Sequence, residues 1–434
     1  MKKILFLLVI NGLLVSAVCQ AKVYIDISSP SSRRLPILIP TFKNTGGELD
    51  RENLASKTPQ IIADDLDFSG FFKIIDETAL NSSTLEGLTS DRIKWDDLAI
   101  VGAEAVVTGG FSIQGGVVSF ELRAYDAVQG KFLIGKKYEG RREDYRLIAH
   151  RFANEVFRSL TGVDGIFETK IAYVKAIGTD KEISLADYDG GNAKQLTNYG
   201  SLCLNPAWAP DGKRIAFTSY KDGNPNLYIM DLARGTTRLV SKKKGVNITP
   251  DWAPDGERIA LTLNLKDGNS EIYVLHERSG SLERMTSDQS TEVSPSWSPD
   301  GRHMAIVSDR SGSPQIYVLE VATGRVRRIT YDGSYNTNPA WSPKGDRIAY
   351  SGMVGGRHQI FITTPDGQIH QQISREGNNE DPTWSPDGRF LAFCSDRSGQ
   401  KEIYIMRADG SGQKKITYGR GNKSEPAWSP FGSM

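Results

Sequence analysis

The heptapeptide PAWAPDG at residues 206–212 recurs five more times, with variations, in the C-terminal part of the chain. The later copies read PDWAPDG, PSWSPDG, PAWSPKG, PTWSPDG and PAWSPFG, and the six tryptophans are Trp208, Trp252, Trp297, Trp341, Trp384 and Trp428. They lie 43 to 45 residues apart, a period that indicates a repeat architecture. Because a tryptophan kept at one position in every unit buries a large apolar area, we predict that these side chains pack between neighbouring units.

Each repeat contains four short segments with a pattern typical of β-strands. The first carries the tryptophan, and in the first unit the others are IAFT from Ile215, LYIMDL from Leu227 and RLV from Arg238. Pairs such as Asp211-Gly212 suit the tight turns between strands, because both residue types tolerate positive φ. Four strands in about 44 residues is the size of one blade of a β-propeller.

The two ends of the repeat region complement each other. IAYV from Ile171, EISLAD from Glu182 and QLT from Gln195 read as strands two to four of a unit that lacks its tryptophan. Trp428, in contrast, begins a unit that stops at Met434. The two fragments add up to one blade, so we predict a six-bladed β-propeller over residues 165–434 that the C-terminal strand closes.

Residues 1–21 have the features of a secretory signal peptide. Met1-Lys2-Lys3 is basic, Ile4 to Val18 is nearly all apolar, and Cys19-Gln20-Ala21 offers small residues at the positions read during cleavage. No later stretch is apolar over the eighteen or so residues that a membrane helix needs. We therefore expect an exported mature chain that is not inserted in a membrane.

Residues 22–164 show no repeat and alternate predicted strands with predicted helices. This pattern predicts a small N-terminal α/β domain before the propeller. The predicted strands are 23–27, 37–42, 71–76, 105–111, 117–127 and 132–140, and the predicted helices lie near 54–66, 93–101 and 143–160.

The overall composition excludes several classes of protein. The chain has 434 residues with 53 Lys and Arg against 52 Asp and Glu, and 38% of its residues are hydrophobic. Such a balanced charge gives no basic excess for nucleic-acid binding, and the composition is globular rather than disordered.

Two classes of enzyme use propellers of this kind. Prolyl-oligopeptidase-type peptidases carry a Gly-x-Ser-x-Gly nucleophile elbow, and this sequence contains no such pentapeptide. Metal-dependent lactonase-type hydrolases need only a few carboxylates and amides at the channel mouth, so this alternative stays open. We predict no metal or cofactor, since none of the histidines has a partner at metal-ligand spacing, and we expect all five at the solvated surface. They are His150, His276, His303, His358 and His370.

The loops before the tryptophan strands should lie on the same face of the propeller as the loops between strands two and three. We call this face the mouth face. Its loops are variable and polar, and variable loops around one opening of a regular scaffold are the usual layout of a recognition site. The candidate binding residues in them are Asn205, Asn338, Asp381 and Glu425.

Several segments of the chain are similar to those of the TolB family, the periplasmic component of the Tol–Pal envelope system of Gram-negative bacteria. They are LTG at 160–162, KIAYV at 170–174, ADYDG at 186–190 and the closing PAWSPF at 426–431. The resemblance covers the whole chain, from signal peptide through α/β domain to propeller.

This resemblance implies a non-enzymatic, periplasmic, monomeric adaptor that binds the peptidoglycan-associated lipoprotein (Pal) at the propeller mouth. It also implies further outer-membrane partners and a role in outer-membrane integrity and in constriction during cell division. The family's contact positions before the tryptophans fall on Val246, Thr249, Val293 and Ser294. The family's N-terminal segment, which engages the inner-membrane protein TolA, corresponds to Lys22, Val23, Tyr24, Ile25, Asp26 and Ile27.

Overall fold

The computed structural model describes residues 33–80, 84–265 and 268–433, apart from the side chain of Ile177. The predicted signal peptide and the predicted strand at 23–27 lie outside these residues. Among the described helices, none is long and apolar enough to cross a membrane.

The described chain packs into two compact units. The first comprises the residues up to 145 together with 155–163, and the second comprises 146–154 together with the residues from 164 onward. The domain boundary after residue 164 stays a prediction.

The first unit is built on one six-stranded sheet of mixed direction. The elements are β1 (Leu35–Leu38), β2 (Lys43–Gly47), α1 (Leu54–Ser69), β3 (Phe72–Ile75), α2 (Trp95–Ile100), β4 (Ala105–Gln114), β5 (Val117–Asp126), β6 (Lys131–Arg141) and α3 (Tyr145–Thr161), with 3₁₀ turns at Glu77–Ala79, Ser90–Arg92 and Arg142–Asp144. The sheet order is β3-β1-β4-β5-β6, with β2 alongside β4. Strand β1 pairs in parallel with β3 and with β4, and β2 pairs in parallel with β4. Strands β4, β5 and β6 form an antiparallel meander. The predicted α/β sheet is confirmed.

The second unit contains six antiparallel sheets of four strands each, which are the six predicted blades. Blade 1 is β10 (Cys203–Trp208), β11 (Arg214–Ser219), β12 (Asn226–Asp231) and β13 (Thr236–Ser241). Blade 2 is β14 (Asn247–Trp252), β15 (Arg258–Leu263), β16 (Glu271–His276) and β17 (Leu282–Arg284). Blade 3 is β18 (Glu292–Trp297), β19 (His303–Ser308), β20 (Gln315–Glu320) and β21 (Val326–Arg328). Blade 4 is β22 (Asn336–Trp341), β23 (Ile348–Val354), β24 (Arg357–Thr363) and β25 (His370–Gln372). Blade 5 is β26 (Asn379–Trp384), β27 (Phe390–Ser395), β28 (Glu402–Arg407) and β29 (Lys414–Lys415).

Blade 6 joins the two ends of the repeat region. Its strands are β30 (Lys423–Trp428), β7 (Lys170–Ile177), β8 (Asp180–Asp187) and β9 (Lys194–Gln195), in that order. The C-terminal strand pairs antiparallel with β7, so that Trp428 lies opposite Ile171. The predicted closure of the ring by the C-terminal strand is therefore confirmed, and it leaves the inner edge of β7 covered.

The repeated tryptophans pack between blades, as predicted. Trp208 of blade 1 lies in one buried cluster with Ala172 and Ile183 of blade 6, and its indole N–H donates to the carbonyl of Ala427 at 3.0 Å. Trp384 of blade 5 donates in the same way to the preceding blade. Each such side chain therefore contributes apolar burial to two blades at once.

Buried polar pairs also join neighbouring blades near the mouth face. In each pair, a side chain near the start of a third strand accepts a hydrogen bond from the first residue of the next blade's innermost strand. Since every member is buried, the bond offsets the desolvation of both groups. The pairs are Asn336 to Gln315 at 2.8 Å, Asn379 to Gln359 at 2.9 Å and Lys423 to Glu402 at 3.1 Å.

Candidate binding site at the propeller channel

Each innermost strand contains one residue in the left-handed backbone region, directly before a buried proline. Proline has no N–H for the ladder, and pairing with the second strand is irregular at this place in all six blades. Residues other than glycine are strained in the left-handed region by about 1–3 kcal/mol each, and such strain is concentrated at functional sites. We call these residues the channel ring: Asn205 (φ 52°), Thr249 (φ 50°), Ser294 (φ 54°), Asn338 (φ 52°), Asp381 (φ 57°) and Glu425 (φ 52°).

The channel ring lines a central cavity of about 700 Å³. The six repeated segments, from the ring residue through the tryptophan into the following turn, supply its walls. Among the described residues that line it, the ionisable ones are Asp251, Asp381 and Glu425, and none is a Lys, Arg or His. The cavity thus combines amides, hydroxyls and three carboxyl groups.

Two of the carboxyl groups are neighbours in the ring. The backbone N–H of Glu425 donates to Asp381 at 3.3 Å, and Asn338 donates its side-chain amide to the same Asp381. On the other side Glu425 accepts from both the backbone and the side chain of Asn205, at 2.6 and 3.1 Å. Burial, reinforced by the negative charge of Asp381, raises the pKa of Glu425 to about 7. Burial, and then the charge of Glu380, also raises the pKa of Asp381.

Asp251 lies two residues beyond the ring residue of blade 2. Its carboxyl accepts the backbone N–H of Trp297 in blade 3 at 2.7 Å, and burial raises its pKa to about 7. Ser296 makes the matching contact one blade further on, where it accepts the N–H of Trp341 at 3.0 Å. Asp251 in blade 2 therefore occupies the position at which the Ser296 hydroxyl in blade 3 makes the equivalent hydrogen bond to the next blade.

The opposite half of the channel ring is uncharged. The hydroxyl oxygens of Thr249 and Thr262 are 2.8 Å apart, and the N–H of Ser294 donates to the Thr262 hydroxyl at 3.3 Å. At the level of the ring, the ionisable groups are therefore confined to the sector formed by blades 5 and 6.

The sequence placed the six ring residues in loops, and this placement is wrong. All of them belong to innermost strands, because β10, β14, β18, β22, β26 and β30 begin two residues before the ring position. They are half-buried and face the channel, so they lie deeper than the rim of the mouth face. Their role in binding stays a prediction.

The two candidate valines differ in their surroundings. Val246 is half-buried in the loop between β13 and β14, next to the mouth. Val293 lies within β18 and packs on the apolar cluster of Ile316, Ile348 and neighbouring side chains between blades 3 and 4. Lys22, Val23, Tyr24, Ile25, Asp26 and Ile27 lie outside the described residues.

His150 corrects the expectation that all five histidines lie at the surface. It is 2% exposed, and its Nε2 lies 3.7 Å from Asp189; with Asp187 the three residues could hold a metal ion. However, Arg146 donates to Asp189 at 2.6 Å and Lys170 to Asp187 at 2.9 Å. The two carboxylates are thus paired with cations already, so we interpret the group as a charge network rather than a metal site.

The fold and the channel define a class: six-bladed β-propeller proteins that carry an additional α/β sheet. A family model described as the TolB beta propeller domain matches residues 157–432, and one described as the TolB amino-terminal domain matches residues 23–133. The chain belongs to the TolB family.

Individual relatives agree with this assignment. The chain is 38% identical over 221 residues to the Tol-Pal system protein TolB of Desulfosudis oleivorans and 40% identical over 226 residues to that of Syntrophus aciditrophicus. Each match covers 51% of this chain and 50% of the relative, so the chain spans about half the length of the curated relatives it matches. The crystal structure of TolB from Acinetobacter baumannii is similar over 92% of this chain and 97% of that one, with 28% identity and a TM-score of 0.79.

Proposed function

We propose that this chain is a periplasmic, non-enzymatic adaptor of the Tol–Pal system that binds Pal at the channel mouth. The observation that carries the proposal is the channel ring, six strained polar residues around one cavity in a chain of the TolB family. Strained side chains that line a preformed opening are typical of a binding site.

We propose further that residues 22–27 engage TolA and that the adaptor, as a monomer, supports outer-membrane integrity and constriction at cell division. This part rests on family membership and on the names of the curated relatives, which are Tol-Pal system proteins.

The test is calorimetric titration of residues 22–434 with the soluble domain of Pal. We expect saturable one-to-one binding. A Ser294→Arg variant should bind at least about tenfold more weakly, because the long side chain at a half-buried ring position would extend into the channel. The matched control is Lys344→Ala, which changes an exposed residue in the turn after β22 on the opposite face.

Equal loss of affinity in both variants would argue against a site at the channel. Failure of the unaltered protein to bind Pal would contradict the proposed function itself. In that case the lactonase-type alternative, which the sequence left open, would be tested by turnover screens with added divalent cations.

A further inference from the structure

Three consecutive lysines project from the mouth face in the loop between β13 and β14. Lys242, Lys243 and Lys244 are all exposed, and the described residues offer them no carboxylate within salt-bridge distance. The loop continues through Gly245 and Val246 into β14. A cluster of three cations therefore lies at the entrance to the proposed site.

The repeat allows a comparison with the loops at the same place in the other five junctions. Those loops span 196–202, 285–291, 329–335, 373–378 and 416–422. Together they contain only two basic residues, Arg375 and Arg420, against the acids Asp288, Asp332 and Glu376. The lysine cluster is thus peculiar to one junction and is not a general property of the mouth face.

Two other cations near the mouth face are paired with carboxylates. Arg310, which follows β19, lies 2.5 Å from the buried carboxylate of Glu292, and Lys401 pairs with Glu380. A solvated surface would show a similar mixture of signs in all sectors, whereas in this sector no described carboxylate pairs with the three lysines.

The lysine loop is also held in one conformation by buried contacts. The fully buried amide of Asn247 donates to the carbonyl of Lys243 at 2.8 Å and accepts the N–H of the same residue at 3.1 Å. Asn224, from the loop between β11 and β12, donates to the same carbonyl at 3.2 Å. Because the backbone is already ordered, a partner that binds here need not order it.

We propose that Lys242, Lys243 and Lys244 form the docking surface for an acidic segment of the protein partner that occupies the channel mouth. The inference rests on the proposed function and adds the charge of the partner's contacting segment. Single-sign charge at the rim of an interface acts mainly by steering encounter, so it should raise the association rate more than it slows dissociation. An anionic membrane is the less suitable occupant, since lipid-binding clusters usually contain about four to eight basic residues.

The experiment is stopped-flow association of residues 22–434 with the soluble domain of Pal, at several salt concentrations. The test variant is Lys242→Gln, Lys243→Gln, Lys244→Gln. The control is Lys213→Gln, Arg302→Gln, Lys344→Gln, which removes the same charge from exposed turns on the opposite face. We expect the test variant to associate about tenfold more slowly at low salt, with a flatter salt dependence and a nearly unchanged dissociation rate. The control should stay within about twofold of the unaltered protein.

Equal rates for test and control variants would overturn the docking surface while leaving Pal binding established. Absence of Pal binding by the unaltered protein would instead remove the proposed function and this inference with it. A parallel arm uses vesicles of phosphatidylglycerol. Binding to these vesicles that depends on the three lysines, without any effect on the rate with Pal, would assign the surface to lipid and overturn the proposal.

Discussion

A Lys423→Ala variant should lose about 3–5 kcal/mol of stability, the cost of breaking a buried ion pair by removing one partner. Lys423 and Glu402 are 1% and 2% exposed, and the ammonium group donates to Glu402 at 3.1 Å and to the carbonyl of Gly419 at 2.7 Å. Without the ammonium, the Glu402 carboxylate stays buried without its cation. Lys423 is also the first residue of β30, the strand that closes the ring. Denaturant unfolding followed by tryptophan fluorescence measures the loss.

The preceding junction supplies a matched control. There the same two positions hold Asn379 and Gln359, joined by a neutral hydrogen bond of 2.9 Å. The double variant Lys423→Asn, Glu402→Gln should recreate that neutral pair and remain within about 1.5 kcal/mol of the native protein, because no charge is left unpaired. If Lys423→Ala were as stable as the double variant, the ion pair would contribute nothing to the stability of the closed ring.

The number of blades and the closure of the ring could be predicted from the sequence because both follow from counting the repeated segments. The tryptophans mark one position per unit, and the incomplete units around Ile171 and Trp428 add up to one blade. Four-strand blades were predictable for the same reason, since hydrophobic patterning and Asp-Gly turns act locally.

The site itself was less predictable, because its geometry depends on contacts between blades. A polar residue before a proline reads as loop, whereas Asn205 and its equivalents are strand residues at an irregular, left-handed position. Lys423 lies in a polar GNKSE segment, yet the neighbouring blade buries it. Strand β2 was missed because its KNTGG sequence has no apolar residue, and it forms only through pairing with β4. In each case tertiary pairing overrides local preference.

Asp251 should make the stability of the native protein fall as the pH rises. Its pKa is about 7 in the folded protein, above the value of 3.8 for an unperturbed aspartate, so the folded state holds a proton that the unfolded state has released. The stabilisation from this protonated carboxyl is complete below pH 3.8, declines above it, and is lost once the pH passes about 7. The difference between these two pKa values corresponds to about 4 kcal/mol in the free energy of unfolding. Because the channel leaves part of the carboxyl solvated, we expect about half of that, about 2 kcal/mol.

An Asp251→Asn variant tests this directly, since the amide keeps an acceptor for the N–H of Trp297 but cannot ionise. Unfolding curves of variant and native protein should nearly coincide at pH 4 and separate by about 2 kcal/mol in favour of the variant at pH 8. The control, Asp300→Asn, should behave oppositely. Hydrogen bonds from Ser298 and from the backbone lower the pKa of Asp300, so its ionised form stabilises the fold at pH 8 and its removal should destabilise. A difference in stability between Asp251→Asn and the native protein that does not change with pH would show that folding does not raise the pKa of Asp251. The N–H of Trp297 would then donate to an ionised carboxylate over most of the range from pH 4 to pH 8, and the channel would be more negative below about pH 7 than a raised pKa of Asp251 implies.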